Sequence, residues 1–142
     1  MKKLTLPQSI YRQIMDTIGA NPAESGGVFA IRGNAVSEYY FDEEAGIGKR
    51  FYRPAAQKIT EIVNRWIHEG HRFGGFIHSH GAGETQLSPM DIVTADRVML
   101  ANGLPFVYMA VVCEEALHLY KVTARPDAGR SELEECVFQI TD

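Results

Sequence analysis

The 142-residue sequence has few cysteines and no long hydrophobic run, and both absences limit what the protein can be. Neither of its two cysteines, Cys113 and Cys136, belongs to a Cys-x-x-Cys pair. Two cysteines do not make a disulfide framework in a chain of this length, so we expect free thiols in a reducing compartment, the cytoplasm. No stretch approaches the roughly 20 apolar residues of a membrane span. No apolar core of a secretory signal follows Lys2 and Lys3.

The sequence also lacks an excess of basic residues. It has 14 Lys and Arg against 18 Asp and Glu, which gives a formal net charge of −4. This balance provides no excess of positive charge to attract a nucleic-acid backbone or an anionic membrane, so we expect neither as a partner. The glycines between residues 19 and 27 lack the Lys-Ser or Lys-Thr that ends a phosphate-binding loop. The composition, 45% hydrophobic and 23% charged, is typical of a globular domain.

The order of the predicted helices and strands indicates an α/β domain. Ile10, Ile14 and Ile18 recur at four-residue spacing and predict a helix that begins near Pro7, and residues 55–69 show a second helical pattern. A third helix is predicted from Ser88, a good N-cap, to about residue 103. Strands are predicted at 27–32, 35–41, 73–80, 105–113 and 117–123, with a loop at 42–54 and a C-terminal tail at 125–142 that ends in a short strand. We expect one domain over residues 1–142, with a single mixed β-sheet flanked by helices.

His78 and His80 lie two residues apart in a predicted strand. Side chains of a strand alternate between its faces, so both imidazoles point the same way, with Cα atoms about 7 Å apart. Asp91 falls in the first turn of the next helix, which can fold back over the end of the strand. Two imidazoles and one carboxylate are three protein ligands, the number in a catalytic zinc site that leaves the fourth position to water. These three residues therefore predict one bound Zn²⁺.

Amide hydrolysis needs a base and an oxyanion donor as well as a metal. The base takes a proton and passes it to the leaving amine, and Glu24, just before Gly26-Gly27, suits that role. Ser88 lies three residues before Asp91, so its hydroxyl is near the metal and suited to donate to an oxyanion. Each feature alone has an ordinary explanation, since Ser88-x-x-Asp91 also caps a helix. Their combination at one strand–helix junction favours a metal-dependent hydrolase.

The spacing His78-x-His80-x7-Ser88-x2-Asp91, with Glu24 upstream in Glu-Ser-Gly-Gly-Val, resembles the JAMM motif of the MPN metalloprotease family. The resemblance covers roughly residues 3–123 and implies a cytidine-deaminase-like α/β fold of the stand-alone prokaryotic type with one zinc ion. It implies that the two histidines and the aspartate are ligands, that the glutamate is the acid/base and that the serine stabilises the oxyanion. The family is best known for isopeptidases that remove ubiquitin or ubiquitin-like proteins, and prokaryotic relatives act on small β-grasp proteins. The implied partner is thus a ubiquitin-like protein or peptide substrate, while the substrate-binding residues and the oligomeric state are not predicted.

Two other classes of protein fit part of the same pattern. Two histidines and a carboxylate also form the facial triad of non-haem iron enzymes, but we expect those on all-β barrels, and this sequence has three helical patterns. Some MPN domains are non-catalytic scaffolds, which typically lack the ligands that are all present here. The paired cysteines of zinc deaminases are missing. The sequence also departs from many members of the MPN family at Gly81, where those have proline, and we expect a more mobile loop after the second histidine.

Overall fold

Seven strands and three helices form the part of the chain that the computed structural model describes, residues 2–43, 55–125, 127 and 129–142. The predicted loop at 42–54 lies outside the described residues from residue 44 onward. None of the described helices is long and apolar enough to cross a membrane. In chain order the elements are β1 (Lys2–Pro7), α1 (Gln8–Thr17), β2 (Gly26–Arg32), β3 (Ala35–Phe41), α2 (Ala56–His68), β4 (Arg72–Ser79), α3 (Pro89–Asn102), β5 (Phe106–Cys113), β6 (Ala116–Thr123) and β7 (Glu132–Thr141).

The three helices form where the sequence predicts them. The apolar stripe of α1 is buried, with Ile10 8% and Ile14 2% exposed, and it continues into the C-cap residue Ile18. Helix α2 buries Ile59, Ile62 and Trp66 in the same way. Each stripe follows the three- or four-residue spacing that places side chains on one face of a helix, and burial of that face stabilises the helix in the fold.

The sheet is mixed, as predicted, but it closes on itself instead of forming a layer flanked by helices. The strand order is β1-β3-β2-β4-β5-β6-β7, and β1 returns to β7. These two strands pair in parallel along all six residues of β1, whereas β1 meets β3 only at Thr5 and Ala35. The prediction of an ordinary layered sheet was wrong on this point. Closure pairs the backbone groups that two edge strands would otherwise leave exposed.

The two strands that close the sheet lie near opposite ends of the chain. Strand β1 was not predicted, because Pro7 was interpreted as the start of a helix, whereas it is the last residue of the strand. Strand β7 has ten residues and is much longer than the short strand expected in the tail. Leu4 and Leu6 of β1 pack in one core cluster with Cys136 of β7. The C-terminal segment is therefore part of the sheet and of its core.

The two faces of the sheet pack against different helices. One face carries Phe29 and Ile77 in a cluster with α1, and the other carries Val28 and Phe76 in a cluster with α2 and α3. Because strand side chains alternate, His78 lies on the same face of β4 as Phe76 and opposite to Ile77. The imidazole is thus directed to the side of the sheet that α3 covers.

Candidate metal centre

The imidazoles of His78 and His80 meet at the end of β4. Their Nε2 atoms lie 2.9 Å apart. His78 is 8% exposed and is paired in register with Gly26 of β2 and Val111 of β5, so strands on both sides fix its position. His80 is the first residue after the described strand, and its backbone N–H donates to the carbonyl of Val112 at 3.0 Å. This bond continues the pairing with β5 and keeps both imidazoles on one face.

The start of helix α3 brings the carboxylate of Asp91 to the two imidazoles. Its Oδ1 lies 3.0 Å from His78 Nε2, and its Oδ2 lies 3.2 Å from His80 Nε2. A capping box holds the carboxylate there: the Ser88 N–H donates to Asp91 Oδ2 at 2.8 Å, and the Asp91 N–H donates to Ser88 Oγ at 3.2 Å. Pro89 is the first helical residue, and its fixed φ suits that position.

The three side chains fit a zinc ion. Zinc binds imidazole nitrogen and carboxylate oxygen at about 2.0–2.1 Å, so two ligand atoms of a tetrahedral site lie about 3.3 Å apart. The two Nε2 atoms lie 2.9 Å apart, and each lies 3.0 or 3.2 Å from one of the two carboxylate oxygens of Asp91, all within a few tenths of an ångström of that value. Within the described residues, His78, His80 and Asp91 are the group of ligating side chains close enough together to hold a metal.

A backbone contact sets the proton position on His80. Its Nδ1 lies 3.0 Å from the carbonyl oxygen of Glu84. A carbonyl only accepts, so Nδ1 carries the hydrogen, and in the neutral ring Nε2 keeps a lone pair. Three electron-pair donors thus face one point: this lone pair, the imidazole of His78 and the carboxylate of Asp91. This donor chemistry suits a cation, and the contact to a carbonyl is one that metal-binding histidines commonly make.

The carboxyl group of Asp91 is held in its charged form. Burial opposes ionisation of this group, but the hydrogen bond and the charge of His78 favour it, and both hydrogen bonds with Ser88 act in the same direction. Together the favourable contacts outweigh burial and lower the pKa of Asp91 from 3.8 to about 2. The carboxylate is therefore ionised, as a metal ligand must be, at any pH near neutrality.

All five residues singled out in the sequence line one cavity of about 810 Å³. Glu24 is half-buried in the segment before β2, on the side of β4 opposite to β5. The loop between β4 and α3 forms another part of the wall and includes Glu84. The cavity-lining residues are Glu24, His78, His80, Gly83, Glu84, Thr85, Gln86, Ser88, Met90 and Asp91.

Ser79, between the two histidines, fixes the backbone next to Glu24, a role that sequence reasoning missed. The Ser79 N–H donates to the carbonyl of Ser25 at 2.9 Å, and the Ser25 N–H donates to Ser79 Oγ at 3.0 Å. These bonds extend the pairing of β2 and β4 by one residue toward Glu24. The alternation that directs both histidines into the candidate metal site directs Ser79 away from it. This two-residue alternation is visible in the sequence. It places the Ser79 side chain on the face opposite to the histidines, where it can form a hydrogen bond with the neighbouring strand.

Solved structures show the same fold. A protein from Desulfitobacterium hafniense, solved in solution, has a TM-score of 0.63 and 16% identity, covering 97% of this chain and 94% of that chain. A JAB1/MPN domain protein from Archaeoglobus fulgidus has a TM-score of 0.52 and 17% identity, covering 98% and 100%. A third structure, described as JAMM, a metalloprotease-like zinc site in the proteasome and signalosome, has a TM-score of 0.55 and 14% identity, covering 99% and 100%.

The fold is that of solved JAMM/MPN structures, and within it His78, His80 and Asp91 form a group that could hold a metal ion. The resemblance that the motif suggested is thus confirmed at the level of the fold. No model of a protein family matches the sequence, and no curated protein matches it significantly.

Proposed function

We propose that this protein is a zinc-dependent peptidase or isopeptidase that hydrolyses an amide bond at the C-terminus of a ubiquitin-like β-grasp protein or a related peptide. The observation that carries the proposal is that His78, His80 and Asp91 meet one another in a cavity that Glu24 and Ser88 also line. The neighbour described as a metalloprotease-like zinc site supports zinc as the metal.

The proposed division of roles is supported by the presence of all these groups in one cavity. When bound, zinc acts as a Lewis acid and lowers the pKa of water toward about 7. The carboxylate of Glu24 takes the proton of the attacking water and passes it to the leaving amine. The Oγ atom of Ser88 accepts a hydrogen bond from the Asp91 N–H, so its own hydrogen is available to donate to the oxyanion of the tetrahedral intermediate.

The lining of the cavity favours neutral or basic residues beside the scissile amide. Its volume lies within the range of about 300–1,000 Å³ that is usual for binding pockets. Glu24 and Glu84 both line it, and none of the described lysines or arginines does. An acidic side chain next to the amide would therefore be repelled, which restricts the C-terminal sequences that fit.

We also propose that the protein acts in the cytoplasm, with its protein or peptide substrate as partner rather than a nucleic acid or a membrane. Cys113 and Cys136 are free, as predicted, and both are buried. Free thiols are usual where glutathione and thioredoxin keep cysteines reduced.

The test uses a panel of β-grasp proteins that carry C-terminal extensions. The natively purified protein should contain one zinc per chain and cleave at least one member, and a chelator should abolish the cleavage. The matched control is Glu24→Gln, which should keep the zinc and lose turnover. Full activity of Glu24→Gln, or cleavage that persists without metal, would refute the proposed mechanism.

The same samples distinguish the two other classes. Stoichiometric iron with oxygen-dependent activity would favour a facial-triad enzyme. Bound zinc with no cleavage of any panel member, but with retained binding to one of them, would favour a non-catalytic MPN scaffold.

A further inference from the structure

The loop between β4 and α3, residues 81–87, needs support from outside itself. It forms part of the cavity wall and supplies the Glu84 carbonyl that accepts from His80. It contains Gly81 and Gly83, both exposed, and Gly83 has a φ of +81°. Glycines lose more conformational freedom on ordering than other residues. One backbone hydrogen bond, from the Glu84 N–H to the Gly81 carbonyl at 3.1 Å, lies within the loop.

Two buried side chains of the β5–β6 hairpin hold this loop. The hydroxyl of Tyr120 on β6 donates to the carbonyl of Thr85 at 2.7 Å, and the thiol of Cys113 at the end of β5 donates to the carbonyl of Gly81 at 3.3 Å. Tyr120 is 4% exposed and Cys113 is 2% exposed. Both belong to a small apolar cluster against which Leu87, the last residue of the loop, packs. The loop is therefore attached at its beginning, its middle and its end.

The attachment at the middle lies directly beside the contact that orients a metal-binding side chain. Thr85, which accepts from Tyr120, follows Glu84, which accepts from His80 Nδ1. We propose that Tyr120 is a positioning residue of the metal centre: its hydroxyl fixes the loop so that the Glu84 carbonyl keeps His80 in the tautomer with the Nε2 lone pair toward the ion. The inference rests on the proposed zinc site but concerns metal binding, not the cleavage reaction.

Tyr120, more than Cys113, carries this role. An O–H···O bond of 2.7 Å is near the optimum for a hydroxyl donor, whereas a thiol is a weak donor. Burial raises the pKa of Tyr120, so the hydroxyl keeps its hydrogen and continues to donate. The substitution Tyr120→Phe removes this one donor and leaves the ring in place in its cluster.

The experiment measures zinc affinity by competition with a chelating dye of known affinity. Loss of a group that orients a metal-binding histidine typically weakens binding 10- to 100-fold, and we expect Tyr120→Phe to weaken it about 10-fold. The matched control is Tyr39→Phe, which also removes a 2.7 Å hydrogen bond of a phenol, here with Thr17, at a half-buried ring that packs against the other core cluster. Its zinc affinity should equal that of the wild type.

A second measurement reads the tautomer of His80 directly by nitrogen NMR in the metal-free protein. The wild type should hold the hydrogen on Nδ1, and Tyr120→Phe should populate both tautomers. Unchanged affinity and an unchanged tautomer in Tyr120→Phe would overturn the inference. An equal loss of affinity in Tyr39→Phe would overturn it as well, because the effect would then follow from general destabilisation. Neither readout requires turnover, so a protein that binds zinc but cleaves nothing refutes the proposed function and leaves this inference standing.

Discussion

At the residue scale, Ser88 combines a structural and a chemical role in one hydroxyl group. Its oxygen caps α3 by accepting from the Asp91 N–H, and its hydrogen is the proposed oxyanion donor. Two substitutions separate the roles, because replacing an N-cap serine by alanine costs about 1 kcal/mol, whereas glycine costs only a few tenths. We expect Ser88→Ala to lower the free energy of unfolding by about 1 kcal/mol and Ser88→Gly to leave it nearly unchanged.

Turnover should fall about 100- to 1,000-fold in both variants of Ser88, the usual effect of losing one oxyanion donor. Urea unfolding of the metal-free protein gives the stability, and kcat on a cleaved β-grasp substrate gives the chemistry. Wild-type kcat in Ser88→Gly would show that the hydroxyl acts only as a helix cap.

Ser79 acts on the site through the backbone and tests a different part of the arrangement. The variant Ser79→Ala removes the acceptor of the Ser25 N–H, next to Glu24, and leaves every metal-binding side chain in place. We expect kcat to fall about 10-fold, because a misplaced base transfers protons less effectively. KM and zinc content should not change.

The matched variant is Ser79→Thr, which retains a hydroxyl and should restore most of the rate. Amide hydrogen exchange gives an independent measurement, in which the Ser25 N–H should exchange faster in Ser79→Ala only. If alanine and threonine gave the same kcat, the hydroxyl would have no part in placing Glu24.

The candidate metal ligands could be identified from the sequence, but the groups that hold them in place could not. His78, His80 and Asp91 lie within 14 residues, so strand alternation and one helix cap suffice to bring them together. Tyr120 is 35 residues from its acceptor, and the Ser25–Ser79 contact spans 54 residues. Such contacts depend on how the strands pair, and local patterns do not encode that pairing.

At the element scale, the β5–β6 hairpin turns through two glutamates in an unusual backbone conformation. Glu114 and Glu115 have φ values of 50° and 68°. An L-residue in this region costs about 1–2 kcal/mol, and two-residue turns of this kind prefer Asn-Gly. We therefore expect the double substitution Glu114→Asn with Glu115→Gly to raise the free energy of unfolding by about 1 kcal/mol, or the Tm by roughly 3 °C.

The control for this turn is Glu114→Ala with Glu115→Ala, which removes the same two charges and leaves the conformational cost. It should not stabilise the protein in thermal or urea unfolding. Equal stabilisation by both double variants would assign the effect to charge repulsion between the two carboxylates.

The elements differ in how well the sequence predicts them, and the reason is physical. Helices α1 and α2 bury regular apolar stripes. Helix α3 begins at Ser88-Pro89 and is followed by Gly103 in a left-handed conformation. Each helix can therefore be recognised from its own local sequence. Strand β1 also alternates, with Leu4 and Leu6 buried, but six residues that end in proline are a weak pattern. Its pairing with β7, which closes the sheet, joins residues more than 130 positions apart.

At the scale of the whole molecule, the closed sheet places the candidate metal centre on a strand with neighbours on both sides. Strand β4 lies between β2, which follows Glu24, and β5, which ends at Cys113. The proposed base is supported from the β2 side, and the loop over the metal is supported from the β5–β6 side. The strands that close the sheet, β1 and β7, are remote from the metal in the strand order. They contribute to the site through the stability of the fold.

The closure itself is tested with two leucines of those strands. Leu6 of β1 is fully buried, whereas Leu133 of β7 is 51% exposed. Truncation of a buried leucine costs about 2–5 kcal/mol, and surface substitutions usually stay within about 0.5 kcal/mol. In urea unfolding of the metal-free protein, Leu6→Ala should show the large loss in the free energy of unfolding, and Leu133→Ala should show almost none. A small effect for Leu6→Ala would mean that β1 frays from β7 and that the sheet is open there. A large loss of stability in Leu6→Ala, together with a single unfolding transition, would mean that the paired strands β1 and β7 unfold cooperatively with β4, the strand that leads to the two histidines.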